Sequence, residues 1–229
     1  MGSDKMSVAE CKTVKGQKRP TLAEKGRICT DELEKLYPNA ICSLNSKNPF
    51  ELIVATRLSA QCTDARVNLV TPSLFEKYPT PKSLASARQE DVEQCIKSCG
   101  LYKTKAKSLI EMSKTLCEKF DGQVPDNMKD LTSLPGIGRK TANLILGDVF
   151  GQPAVVADTH LIRISNRLGL CDSRDPYKVE IKLKSVLDPH RSSDFCHRIV
   201  LFGRDICTAR SPKCDKCPLI ALCKSKGEF

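Results

Sequence analysis

Lys140 and Asp158 lie eighteen residues apart, the first in "LPGIGRKTAN" and the second in "VVADTH". An amine and a carboxylate held close together are the smallest set of groups that can cleave an N-glycosidic bond. The amine attacks carbon, while the carboxylate stabilises positive charge developing on the sugar and shuttles protons. Only a neutral amine is a nucleophile, and Lys140 follows a turn at the start of a helix. There it faces the positive end of the helix dipole with Arg139 beside it, and both effects work against the ammonium form. Each residue also has a plainer use. A first-turn lysine can contact a phosphate, and an aspartate before a helix can simply cap it.

A second constellation closes the sequence. In "CTARSPKCDKCPLIALC", Cys207, Cys214, Cys217 and Cys223 are spaced C-x6-C-x2-C-x5-C. Four thiolates within 17 residues point to metal ligation. Spacing leaves zinc and a cubane iron-sulfur cluster both open, since each accepts four cysteines. Arg210, Lys213 and Lys216 fall in the loops between ligands, where they would be offered to a phosphate backbone. The other nine of the 13 cysteines read as core or incidental residues. Cys95 and Cys99 share a helix face, but no further ligand pair accompanies them.

Between these features lies a turn suited to phosphate. In "DLTSLPGIGRKTANLIL", Leu134 ends one short helix and Pro135, Gly136, Ile137 and Gly138 make a tight connection to the next. The glycines allow backbone conformations and approaches that a Cβ would block. The first N–H groups of the second helix are then free for a phosphate oxygen. Gly136, Ile137, Gly138, Arg139 and Thr141 are accordingly the expected backbone contacts, and such a turn binds DNA without reading its sequence.

The bulk properties agree with a polyanionic partner. Lys and Arg total 37 against 27 Asp and Glu, a formal net charge of +10. No stretch approaches the roughly 20 apolar residues of a membrane-spanning helix. "MGSDKMSVAECKTVKGQKRP" has no apolar core of the signal-peptide kind, so an intracellular location without a disulfide framework is expected. Residues 1–19 read as a flexible basic arm.

Helix signals fill the rest. They begin at "TDELEKLYP". Asn48 with Pro49 caps "FELIVATRLSAQ", Thr63 or Asp64 opens "DARVNLVTPSLFEKY", and Ser83 opens "LASARQEDVEQCIKSCG". "KTKAKSLIEMSKTLCEKF" stops at Asp121-Gly122, "DNMKDLTSLPG" enters the turn, and "RKTANLILGDVF" leaves it. Asp158 caps "DTHLIRISNRLGL", and "PYKVEIKLKSVL" and "DFCHRIVLFGRDIC" follow. Alternating strand patterns are nearly absent, so the fold class is all-α.

Lys140 in its turn, Asp158 in "VVADTH" and the cysteine tail, in this order, resemble the endonuclease III family of DNA glycosylases, which are also lyases at abasic sites. "LSAQCTD" and "GLYKTKAKSL" match further family segments, and the likeness runs from about residue 24 to residue 225. It implies two helical domains flanking a DNA-binding cleft. One spans 42–153; the other joins 20–41 to 154–229 and holds a [4Fe-4S] cluster on the four cysteines. It further implies that Lys140 attacks C1′ of a damaged pyrimidine nucleotide, expels the base and forms a Schiff base, with Asp158 assisting, before β-elimination nicks the strand. Gln61 and Leu101 would fill the space left by the everted nucleotide, and His160 would sit near the site. Plainer readings are a polar helix end for Gln61, a core position for Leu101 and a structural role for His160. The implied partner is double-stranded DNA with damaged pyrimidines or abasic sites, bound by a monomer in the cytoplasm, on the nucleoid in a prokaryote. Ala157 replaces a larger aliphatic commoner in the family. An adenine-specific mismatch relative would lack the lysine at 140. The remaining alternative is a non-catalytic DNA-binding module with structural zinc.

Overall fold

The computed structural model describes residues 20–228. The expected basic arm, 1–19, lies outside them. Among the described residues the regular structure is entirely helical, and no helix is long and apolar enough to cross a membrane.

Short polar caps set the helix starts. α1 (Leu22–Leu36) opens with a reciprocal Thr21/Glu24 capping box. It thus begins ahead of the "TDELEKLYP" signal. Asn48 accepts from the Glu51 N–H to start α2 (Pro49–Ser59), and Thr63 accepts from Arg66 to start α3 (Asp64–Lys77). The single helix expected from Ser83 to Gly100 is two, α4 (Pro81–Ala85) and α5 (Gln89–Ile96). Thr80 is the cap, with Ser83 answering it from the third helical position. Ser86 Oγ then donates to the Lys82 and Ser83 carbonyls and ends the helix, the usual competition of serine hydroxyls with the helical ladder.

α6 (Tyr102–Phe120) ends where Asp121 and Gly122 turn left-handed, and α7 (Met128–Ser133) leads through the glycine turn into α8 (Arg139–Asp148). α9 (Thr159–Leu168), α10 (Pro176–Lys184) and α11 (Ser192–Asp205) complete the set. Gly169, at φ +67°, terminates α9.

Buried side chains form two cores. Residues of α2 to α8, among them Ile53, Leu58, Leu109, Met112 and Ile145, make the first. Leu33 of α1 joins Leu161, Ile164, Leu183, Phe195 and Phe202 of α9 to α11 in the second. The chain passes from one to the other at "PAVVA": Ala154 is buried in the first core and Val155 in the second. Leu144 of α8 packs against both. Each fully buried leucine of these cores, such as Leu58 or Leu161, contributes about 1.5–3 kcal/mol. The result is two helical domains with a cleft between them.

Candidate active site

The cleft has a volume of about 360 Å³ and is walled by both cores. Lys140 and Thr141, in the first turn of α8, line one side; Asp158 and α11 line the other. Gln61, Ser59 and Asp64 close it at the end of α2 and the start of α3.

The glycine turn explains why Lys140 stands free. Gly136 has φ +78°, and a Cβ there would lie 2.5 Å from Arg57 Nε and 2.8 Å from Ser108 Oγ. Arg57 Nε donates to that same Ser108 hydroxyl at 2.8 Å, so the turn seats on a fixed polar pair. Gly138 is extended and caps α8 without a side chain, and a Cβ there would meet nothing within 4 Å. Its lack of a side chain therefore opens the helix N-terminus to an outside group.

Two expected DNA contacts are otherwise engaged. Ile137 is buried in the first core and donates its N–H to the Leu134 carbonyl at 3.1 Å, because the tight turn folds that amide inward. Arg139 is forked onto Glu180 of α10, Nε to Oε2 at 2.7 Å and Nη2 to Oε1 at 2.9 Å, and its guanidinium stacks 4.7 Å from the Tyr177 ring centre. Its charge is thus matched by a carboxylate and does not bear on Lys140 alone. Lys184 donates to Glu180 at 2.9 Å and to Asn143 Oδ1 at 3.2 Å, so both ends of the network tie α8 to α10. Burial would raise the Glu180 carboxyl, but hydrogen bonds from Arg139, Lys184 and Asn143 outweigh it and hold it below its ordinary value.

Asp158 is both a cap and a cleft residue. Oδ1 accepts the Leu161 N–H at 2.7 Å, fixing the carboxylate at the start of α9. His160 stands behind it, half-buried against Gly203 of α11, where an added Cβ would come 2.4 Å from Nδ1. Burial pushes the imidazole pKa down, against the pull of Asp158.

Gln61 and Leu101 share an unusual conformation. Their φ angles are +54° and +57°, and Leu101 is 62% exposed. Left-handed backbone costs such residues about 1–2 kcal/mol each. Leu101 is therefore no core leucine, and the two loops abut, since a Cβ on Gly100 would be 3.3 Å from the Gln61 carbonyl. Lys105, buried in α6, steadies them by donating to the Leu58 carbonyl at 2.8 Å near the end of α2.

The four cysteines line one small chamber closed by apolar residues such as Ile164, Phe202 and Ile220. Among the described residues no three ligand groups converge on a single-ion site. Burial pushes the Cys217 and Cys223 thiols up, and the neighbouring sulfurs push the same way, so four thiolates here need a positive centre among them. Arg167 Nη1 donates to Cys207 Sγ at 3.3 Å and to the Thr208 carbonyl at 2.7 Å. A polynuclear group in an apolar chamber with a cationic donor fits this set. Arg210 and Lys213 are exposed on the same loop.

Residues 54–189 match the family model of the HhH-GPD superfamily base excision DNA repair proteins, and residues 207–223 match the iron-sulfur binding domain of endonuclease III. The chain is 46% identical to endonuclease III of Bacillus subtilis (strain 168) over 198 residues, covering 86% of this chain and 90% of the relative. It is 39% identical to endonuclease III of Escherichia coli (strain K12), covering 85% of this chain and 92% of the relative. The structure of a trapped endonuclease III–DNA covalent intermediate superimposes with a TM-score of 0.83 at 45% identity, covering 88% of this chain and 95% of that one. The fold and cleft are thus those of a helix-hairpin-helix base-excision-repair protein. The chain belongs to the endonuclease III family: it is a DNA glycosylase and abasic-site lyase, and its cofactor is a [4Fe-4S] cluster. The zinc-bound, non-catalytic alternative falls away.

Glu180 and Lys105 were not legible as site elements, because their partners lie 41 and 47 residues away. Glu180→Gln should destabilise the protein by about 1–3 kcal/mol, discounted because Arg139 is 39% exposed. With a lowered folded pKa, the Glu180 contribution is fully present above the ordinary carboxylate value and is lost as pH falls from there through the lower folded value. Denaturation at several pH values should therefore show the variant converging on the parent below about pH 4.5. Gly136→Ala should cost about 1–3 kcal/mol and weaken duplex binding, measured by calorimetry and fluorescence anisotropy.

Proposed function

We propose that this chain removes oxidised or otherwise damaged pyrimidines from duplex DNA, with Lys140 as nucleophile and Asp158 as the assisting carboxylate. The observation that carries this reading is that an amine from the first domain and a capped carboxylate from the second open onto one cleft of nucleoside size. The relative trapped covalently on DNA supports a covalent nucleophile.

The damaged nucleotide leaves the stack, at a cost of a few kcal/mol that a poorly stacking lesion reduces. Gln61 and Leu101, already in their strained conformations, enter the gap. The Lys140 amine forms a bond to C1′ as the glycosidic pair departs with the base, which takes a proton. Asp158 stabilises the positive charge that develops on the sugar, its Oδ1 held by the Leu161 N–H. Ring opening gives the imine; loss of a C2′ proton then expels the 3′ phosphate, and water releases the lysine.

Phosphate oxygens take the open N–H groups that follow Gly138 at the start of α8, with Thr141 among them. Ile137 and Arg139 serve the turn from inside, by packing and by the fork to Glu180, and His160 supports Asp158 from behind. Cys207, Cys214, Cys217 and Cys223 hold the [4Fe-4S] cluster, which supplies a rigid crosslink for the loop that carries Arg210 and Lys213. The domains divide as 42–153 and 20–41 with 154–229. The enzyme acts as a monomer inside the cell, on the nucleoid if its host is prokaryotic.

Borohydride treatment with a duplex carrying one abasic site should give a covalent adduct that disappears in Lys140→Ala. Strand nicking that survives Lys140→Ala would sink the nucleophile. Asp158→Asn should slow single-turnover base release by about 100-fold or more while duplex affinity changes by less than about threefold. Equal losses in both would make Asp158 a helix cap alone.

A further inference from the structure

A group of polar side chains at the far end of the same cleft has no part in the steps above. Asp148 is the last residue of α8, eight residues and about 12 Å along the axis from Lys140. His197 Nε2 lies 2.8 Å from Asp148 Oδ1, and Ser193 Oγ donates to that oxygen at 3.2 Å. Cys42 stands close to the same carboxylate, and burial pushes its pKa up to about 11, so it stays a thiol. Asp148 and His197 are only 13% and 14% exposed. Asp148 stands outside the cleft lining, whereas Cys42 and His197 line it together with Lys140 and Asp158.

The chemistry of this group is directional. A carboxylate can only accept, so the His197 Nε2 facing it must carry hydrogen, and the neutral ring then has Nδ1 as its acceptor. Ser193 and His197, one turn apart on α11, both donate to the carboxylate of α8, and the carboxylate fixes the ring. Such a histidine offers a set hydrogen-bonding pattern to whatever fills the end of the cleft away from the nucleophile. With the sugar at Lys140, that occupant is the everted base, whose N3–H or exocyclic amino group suits a ring acceptor.

We propose that His197 contacts the everted pyrimidine and selects it for excision, with Asp148 as the positioning residue that sets the imidazole. This rests on the glycosylase reading of the cleft. It predicts a split between the two activities, because an abasic site presents a sugar without a base to recognise. Abasic-site nicking should therefore be indifferent to a residue whose partner is the base.

Single-turnover rates on two duplexes test it, one carrying thymine glycol and one an abasic site. His197→Ala should slow base release from thymine glycol by about tenfold or more, while nicking at the abasic site stays within about threefold. Asp148→Ala should show the same split, and Asp148→Asn, whose amide oxygen still accepts from Nε2, should restore most of the lost rate. Equal slowing on both duplexes, or no slowing on either, would overturn the proposal, as would Asp148→Asn behaving like Asp148→Ala. His197→Gln guards against a fold defect: it retains polar groups at the site and should fall between parent and His197→Ala on thymine glycol alone. Failure of the underlying nucleophile reading would show separately, as a borohydride adduct that persists in Lys140→Ala.

Discussion

A buried carboxylate between the two cores sets the geometry on which the cleft depends. Glu180 is 2% exposed and takes Arg139 and Lys184 at 2.7–2.9 Å. A charge taken that far out of water is tolerable only with its partners in place. The partners belong to the first residue of α8 and the last of α10, so satisfying the charge fixes one domain against the other at the point where Lys140 emerges. Arg139 suits this because its planar fork meets both carboxylate oxygens, which a lysine could not do. The neighbouring residues in "GIGRKT" thus divide the work: Arg139 looks back into the protein and Lys140 looks out.

The rest of the site repeats this pattern of free groups held from behind. Gly136 must be glycine because Arg57 and Ser108 occupy the space where a Cβ would go. Asp158 has one oxygen tied to the start of α9. The strained Gln61 and Leu101 are exposed, yet Lys105 and the contact at Gly100 hold their loops. Strain of this kind persists where the surroundings over-determine it, and under the proposed mechanism it leaves both residues already ordered for entry into a duplex. The cluster chamber does for the C-terminal loop what Glu180 does for the turn.

Much of this was legible in the sequence wherever the cause is local. Caps such as Asn48, Thr63 and Asp158 act over three residues, and the structure uses each as a cap. The cysteine spacing and the glycine turn are likewise local patterns. Ser83 misled because a serine three residues after Thr80 completes a capping box instead of opening a helix. The side-chain directions of Ile137 and Arg139 were not legible, because position in a motif does not show which way a side chain faces. Glu180, Lys105 and the Asp148–His197 pair escaped notice entirely. Each depends on a partner 41 to 49 residues away, and a single sequence holds no record of such pairings.

In the mechanism proposed above, Glu180, through Arg139, holds the start of α8 so that the Lys140 amine meets the sugar of an everted nucleotide. A crystal structure of the borohydride-trapped complex with an abasic-site duplex tests it most directly. Continuous density should run from Lys140 Nζ to C1′, with the Arg139–Glu180 fork intact and Gln61 and Leu101 in the vacated stack. A covalent link from any other amine, or a trapped complex in which Arg139 has left Glu180 for the DNA backbone, would contradict it.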